Sequence, residues 1–297
     1  MAVNTLEFAQ KFSGELDKML IQKSVTGFMA DNVMRAKFVG AKTVIVPDID
    51  FVGLSDYNRD TGFANGSITV AQQSFELSQD RARSLQIDRE DMDETGIANL
   101  AGQVMGEYVR TKVVPEMDSY VLSKLAKIAI DNTNTVVLDA SKAYEQFVNL
   151  ANGVQGKAGF DTELVAFVNP AVYGAFMNST EISRHITVSD FKQGEVNLKV
   201  QKINGIALIP VTDDRMKTEY TDDSVNGGLK PTSAAKDIGI LVLPKSAAHL
   251  VKKSETMRVF APEQNLTADA YKFDYRVYYD AFVKKSNIKH IAAAISA

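Results

Sequence analysis

The chain has 297 residues, 33 basic against 37 acidic side chains for a formal net charge of -4, 45% hydrophobic residues and no cysteine. That length and apolar content suit one large folded domain or two ordinary ones, while the missing cysteines exclude disulfides, thiolate metal sites, iron–sulfur ligation and cysteine nucleophiles. The acidic balance leaves no overall positive field to hold a polyanion, which disfavours sequence-specific nucleic-acid binding.

Residues 1–20 have polar and charged residues interspersed throughout, without the apolar stretch of a signal peptide or membrane anchor. The longest apolar runs, 238–243 and 291–295, are too short to span a bilayer. A soluble protein made in the cytoplasm is the expectation. Leu6, Phe8, Phe12, Leu16, Met19 and Leu20 recur in a loosely helical rhythm, yet no following segment offers an obvious face for them. Residues 1–42 therefore read as an extended or partly helical arm, the alternative being a first core helix.

Strand texture begins at Thr43 with Val44, Ile45 and Val46, then Ile49 and Phe51 alternate with Asp48 and Asp50. A turn-rich stretch with Gly62 and Asn65-Gly66 follows, and the texture returns at Ile68 and Val70, continuing through Phe75, Leu77, Leu85 and Ile87. Residues 43–87 thus predict one long β-hairpin. Its sparse apolar content argues against burial on both faces, so it must lie on something outside its own domain.

Asp88, Glu90, Asp91, Asp93 and Glu94 put five carboxylates in seven residues, just ahead of apolar residues at helical spacing: Ile97, Leu100, Ala101, Val104, Tyr108, then Met117, Val121, Leu125 and Ile128. The spacing predicts a helix over 97–130, roughly 34 residues and about 50 Å long, kinked near Pro115. Further on, 143–150 predicts a helix, 164–168 a strand, and 170–178 a helix opened by Pro170. Segments 196–203 and 206–211 flank Asn204-Gly205, a strong hairpin signal. Residues 213–233 are polar and glycine-rich and predict a mobile loop, ahead of a buried-type strand at 238–243. From Tyr271 to Val283 apolar and mostly polar residues alternate, predicting one long strand with a single apolar face, packed on the long helix.

The sequence carries no coherent catalytic or metal-binding pattern. Residues 152–159 resemble a phosphate loop, but Ala151 stands where its first glycine belongs and Ala158 where a Ser or Thr would hold magnesium, so a solvated loop is expected. Asp91, Asp93, Thr95 and Gly96 fit the start of a calcium loop whose twelfth position is Gly102 in place of a bidentate Glu. His185, His249 and His290 lack metal-ligand spacing or a nearby nucleophile motif. The glycosylation patterns at Asn65, Asn178 and Asn265 read as chance matches. No catalytic residue, cofactor or metal is expected.

The order of arm, long hairpin, acidic turn, long helix, mixed inner domain and returning strand resembles the major capsid proteins of tailed bacteriophages with the Hong Kong 97-type fold. The resemblance is carried by 83–95 running into the helix, 167–173 (Phe-Val-Asn-Pro-Ala-Val-Tyr), 203–206 (Ile-Asn-Gly-Ile) and the 271–283 strand ending Tyr-Asp-Ala-Phe-Val. It implies an α+β fold with an N-terminal arm (1–42), an extended loop (43–87), a peripheral domain with a spine helix (88–135 and 251–297) and an axial domain (136–250). It also implies a structural subunit of an icosahedral head enclosing double-stranded DNA, assembled in the host cytoplasm and resident in the virion. Partners on that reading are sister copies in pentamers and hexamers, a separate scaffolding protein, portal and decoration proteins, and packaged DNA without sequence-specific contact; no membrane is involved. Two departures matter: the arm is read as beginning almost at once, so that a separate scaffolding protein is the expectation, and no lysine lies between Lys42 and Lys112 to crosslink through the loop.

Candidate subunit-interface residues are Arg59 and Phe63 in the hairpin tip, Arg81 and Arg83 on the following strand, and the acids Asp88, Glu90, Asp91, Asp93 and Glu94, with the arginines expected to pair with a neighbour's acids. Rival readings are an encapsulin-type nanocompartment shell of the same fold and, more distantly, an α/β enzyme.

Overall fold

The computed structural model of the chain describes residues 24–31, 37–39, 42–57, 59–60, 62–63, 65–89, 101–178, 186–193, 196–265 and 267–297. In chain order come a helical turn α1 (Phe28–Asp31), strands β1 (Lys37–Val39), β2 (Thr43–Phe51), β3 (Ile68–Glu76) and β4 (Gln79–Asp88), helix α2 (Ala101–Tyr108), a π-helical turn (Val109–Val113), α3 (Val114–Asp131) and β5 (Thr135–Val137). Then follow α4 (Ala143–Ala158), β6 (Leu164–Val168), α5 (Pro170–Asn178), β7 (Ile186–Gln193), β8 (Val196–Ile203), β9 (Ile206–Pro210), β10 (Tyr220–Asp222), β11 (Leu229–Pro231), β12 (Ile238–Pro244), β13 (Ala248–Phe260), β14 (Ala270–Val283) and β15 (Ala292–Ile295). The predicted α+β class holds.

A seven-stranded mixed sheet in the order β5-β15-β12-β6-β9-β8-β7 forms the body. Its central strands carry apolar residues at every position because both faces are covered. Along β6, Ala166 and Val168 pack with Phe147, Val154, Val172 and Phe176 of α4 and α5, whereas Val165 and Phe167 belong to the cluster built on α3. The same division holds along β12, where Ile240 and Val242 face one cluster and Leu241 and Leu243 the other. The expected buried strand is there, one residue longer than predicted. Between β8 and β9 the chain reverses at Asn204 and Gly205 with φ of 52° and 80°, the left-handed pair that a two-residue hairpin turn demands.

The long helix forms but is not a plain α-helix. Pro115 has no N–H for the carbonyl of Thr111 and its ring crowds that turn. The chain widens instead into a π-helical turn just ahead of it, with the Val114 N–H reaching the Val109 carbonyl, and the Thr111 hydroxyl donates to the Glu107 carbonyl at 2.7 Å. The irregularity thus lies before the proline. Residues 97–100 fall outside the described residues.

A second, antiparallel sheet has the order β13-β14-β4. Strand β14 alternates as predicted over its first half, with Phe273, Tyr275 and Val277 buried and Arg276 exposed, but from Val277 to Val283 every residue is buried. There Val277, Tyr279, Ala281 and Val283 join the α3 core, while Tyr278 and Phe282 on the opposite face pack under the base of the β2–β3 hairpin. The single apolar face becomes two because something lies on each side.

Four other expectations are corrected. Residues 68–87 are not one strand: the chain turns a corner at Leu77 and Ser78, so β3 pairs with β2 whereas β4 leaves the hairpin and pairs with β14. Residues 152–158 are helix and not solvated loop, because Val154 on the inward face of α4 is buried in the second core cluster. Residues 213–233 carry an ordered ribbon (β10–β11) and are not a mobile loop. Residues 24–31, within the predicted arm, dock on the body: Phe28 and Met29 are buried in the main core. Asp118 of α3, itself fully buried, accepts from the Thr26 hydroxyl at 2.6 Å, the Val25 and Thr26 N–H groups at 3.1 and 3.2 Å, the Ser24 hydroxyl and the Arg215 guanidinium at 3.0 Å. A carboxylate taken from water needs every one of those donors.

Candidate subunit-contact surface

Nine residues in β2 and nine in β3 pair from Thr43↔Glu76 at the base to Phe51↔Ile68, a ribbon of about 30 Å at the usual rise per residue. Its two halves sit in different solvents. At the base Val44, Val46 and Leu77 are buried with Tyr278 and Phe282, and the Phe75 and Phe282 rings meet at 4.9 Å between centroids. Buried Gln73 accepts from the Lys285 N–H at 3.2 Å through its side-chain oxygen. Further out the cover ends. The cross-strand pairs Ile49↔Val70 and Phe51↔Ile68 are exposed, as are Val52, Leu54, Tyr57 and Phe63. Eight of the fourteen large hydrophobics exposed among the described residues fall within 49–70, so the apolar exposure is concentrated in one projecting element. Contiguous patches of this kind mark interaction sites.

The base is fixed by a buried acid that the sequence reading missed. Asp280 on β14 is fully buried and accepts from the Ser78 N–H and hydroxyl at 3.1 and 3.0 Å, the Tyr120 hydroxyl at 2.9 Å, the Lys124 ammonium at 2.5 Å and the Ala281 N–H at 2.7 Å. It thereby joins the corner where the hairpin leaves, the long helix and β14. Burial pushes the Tyr120 hydroxyl up from its ordinary pKa, so it stays protonated and donates. The Tyr278 hydroxyl adds a bond to the Leu77 carbonyl at 3.1 Å. A lone Asp between Tyr279 and Ala281 in an apolar strand was the available signal, since a buried charge demands partners.

Of the residues expected at an interface, Arg59, Phe63, Arg83 and Asp88 are exposed. Glu90, Asp91, Asp93 and Glu94 lie outside the described residues. Arg81 behaves differently from expectation: its guanidinium, 25% exposed, pairs within the chain, with Glu116 of α3 at 2.6 Å and with Asp222 of β10. The residue points at the long helix and the ribbon, where acids of its own chain stand ready. Among the described residues no group of three or more His, Asp or Glu is placed to hold a metal, and no helix is long and apolar enough to cross a membrane.

No protein-family model matches the chain, and no curated protein matches its sequence. The fold does have counterparts. The chain superposes on a subunit of the cyanophage P-SCSP1u capsid at 13% identity with a TM-score of 0.59, covering 88% of this chain and 85% of that one. It superposes on the mature capsid of bacteriophage PhiM1 at 11% identity and 0.55, covering 86% and 82%, and on a virus-like particle from Pyrococcus furiosus at 11% identity and 0.52, covering 97% and 99%. The chain therefore has the capsid-subunit fold that its order of segments resembles.

Proposed function

We propose that the chain is a shell subunit, the major capsid protein of a tailed phage, whose work is geometric. The observation that carries this reading is the hairpin: its base is locked into the body by Asp280, Tyr278 and Phe282, while its outer half presents apolar pairs that nothing in the described chain covers. A sister copy is the natural cover, because in a closed shell each subunit meets identical neighbours and one patch serves every contact. Assembly then stabilises the folded subunit by mass action. The fold shared with phage capsids supports the same reading.

On this proposal the 43–76 hairpin, shorter than the expected 43–87, is the loop that overlaps a neighbour, 77–135 and 251–297 form the peripheral unit, 136–250 the axial unit around five- and six-subunit capsomers, and 1–42 the arm, anchored to the body through 24–31. Arg59, Phe63, Arg83 and the acids Asp88, Glu90, Asp91, Asp93 and Glu94 are the proposed contacts. The role is structural, in the virion, with assembly in the host cytoplasm, a separate scaffold, portal and decoration proteins as partners, and DNA enclosed without sequence-specific contact.

Electron microscopy of the purified, concentrated protein tests this: closed icosahedral particles are expected, and a monodisperse monomer at every concentration overturns it. A nanocompartment shell of the encapsulin type is the second reading, favoured by the near-complete mutual coverage with the Pyrococcus furiosus particle. Particles from the native source packed with double-stranded DNA support the capsid, and particles filled with protein cargo support the nanocompartment.

A further inference from the structure

We propose that residues 213–237 are a strap that ties the strand leaving the hairpin to the seven-stranded sheet, with Arg81 as its latch and the positioning residue for the hairpin. The strap's foot is anchored beside β12: the Ile238 N–H donates to the Met216 carbonyl at 2.8 Å, the Thr218 N–H to the Lys236 carbonyl at 2.9 Å, and Lys217 pairs with Asp237. Its middle lies on α3, where the Ser123 hydroxyl donates to the Thr218 carbonyl at 2.7 Å and Arg215 reaches buried Asp118.

The tip is a pre-formed turn. The Asp223 carboxylate accepts from the Val225 and Asn226 N–H groups at 3.1 and 3.3 Å, and backbone bonds join Gly227 N–H to the Asp223 carbonyl and Asp223 N–H to the Gly228 carbonyl. Gly227 and Gly228 both have positive φ, 73° and 88°, which glycine alone adopts without cost. Their neighbours are close: a Cβ on Gly227 would stand 3.0 Å from the Arg83 guanidinium, tighter than usual, and one on Gly228 would make an ordinary contact at 3.6 Å with the Glu116 carboxylate. The turn is thus slotted between β4 and the helix, and Arg81 closes the slot: Nε donates to Glu116 at 2.6 Å, Nη1 to Asp222, and Nη2 to the Gly228 carbonyl at 3.4 Å. The rigid fork of a guanidinium serves three acceptors at once, as an ammonium on a flexible stem does not. Arg81 stands three residues after Ser78, where the hairpin turns away, so whatever holds Arg81 holds the angle at which the hairpin leaves.

Hydrogen exchange on the unassembled chain tests the latch without relying on the shell reading. Arg81→Ala is expected to speed amide exchange across 220–231 about tenfold while leaving 248–260 unchanged, since local opening is set by local contacts. Gly227→Ala, which attacks the slot from the other side and leaves Arg81 intact, is expected to give the same local signature. Arg81→Lys is expected to exchange as Arg81→Ala does. Wild-type exchange in 220–231 for Arg81→Ala or Gly227→Ala overturns the proposal, as does full rescue by lysine. The consequence for the hairpin rests on the proposed shell role: Arg81→Ala is expected to cut the yield of closed particles at least about tenfold against the wild type. A wild type that forms no particles defeats the shell reading and leaves the exchange test standing.

Discussion

The two halves of the β2–β3 ribbon share strands, register and hydrogen-bond ladder, and differ in what lies against them. The inner half is covered by Tyr278, Phe282 and Val251, and its corner is pinned by Asp280. The outer half carries Ile49, Phe51, Leu54 and Phe63 into solvent. One element can belong to the folded subunit at one end and to an assembly at the other. The side chains follow that division: a buried acid and aromatics at the base, exposed aliphatic and aromatic groups further out.

That contrast is broken most severely from within the body. Phe167, fully buried in the seven-stranded sheet and stacked near Phe28 at 6.2 Å, is expected to cost about 3–5 kcal/mol on substitution by alanine, read as a fall in the denaturation midpoint of the unassembled subunit. Asp280→Ala comes next. It removes the carboxylate from the Lys124 ammonium and leaves the Tyr120 hydroxyl to its bond with the Ser78 hydroxyl, and because Lys124 remains 32% exposed and can turn to water, the expected loss is about 2–3 kcal/mol, accompanied by faster exchange at Ser78 and Leu77.

Acid offers a gentler separation of the two regions. The His290 imidazole is held below its ordinary 6.5, first by burial and then by the charges of Lys289 and Lys157, and its Nε2 is enclosed without a hydrogen-bond partner. The folded state therefore binds fewer protons than the unfolded state, and stability falls as pH drops below about 6.5. His290→Gln is expected to flatten that slope in urea titrations between about pH 7 and about pH 5. The outer half of the hairpin contains no histidine, so its exposure should not follow this titration. The smallest effect on the subunit belongs to Phe51→Ser. With 67% of Phe51 exposed, the denaturation midpoint should stay within about 0.5 kcal/mol of wild type, whereas the yield of assembled particles should drop.

Sequence patterning reached the parts of this fold governed by local rules. The both-faces-buried strand at 238–244, the Asn204-Gly205 turn and the long helix were legible because apolar runs, left-handed turn residues and helical spacing each leave a local mark. The corner at Leu77 and Ser78 left none: Gln79, Asp80 and Arg81 continue a plausible strand, and only Asp280, some two hundred residues on, fixes the break. Glycines at 153 and 156 made the second half of α4 look like a loop, yet Phe147, Leu150, Ala151 and Val154 bury enough apolar surface to carry the helix through them. The polar, glycine-rich character of 213–233 suggested mobility, but its Asp222 pairs with Arg81, its Arg215 with Asp118 of the long helix, and its Thr218 carbonyl accepts from the Ser123 hydroxyl. For the candidate contact surface, the projecting hairpin was readable from the sparse apolar content of its strands. Arg81 was misplaced because its partners Glu116 and Asp222 are remote in sequence.

Side-chain footprinting of the hairpin before and after assembly bears most directly on the claim that a sister copy covers its outer half. Phe51, Leu54 and Phe63 should be labelled freely in the dispersed subunit and protected in the particle, with the already buried Val44 and Val46 unchanged. Equal labelling of Phe51, Leu54 and Phe63 in both states would contradict it.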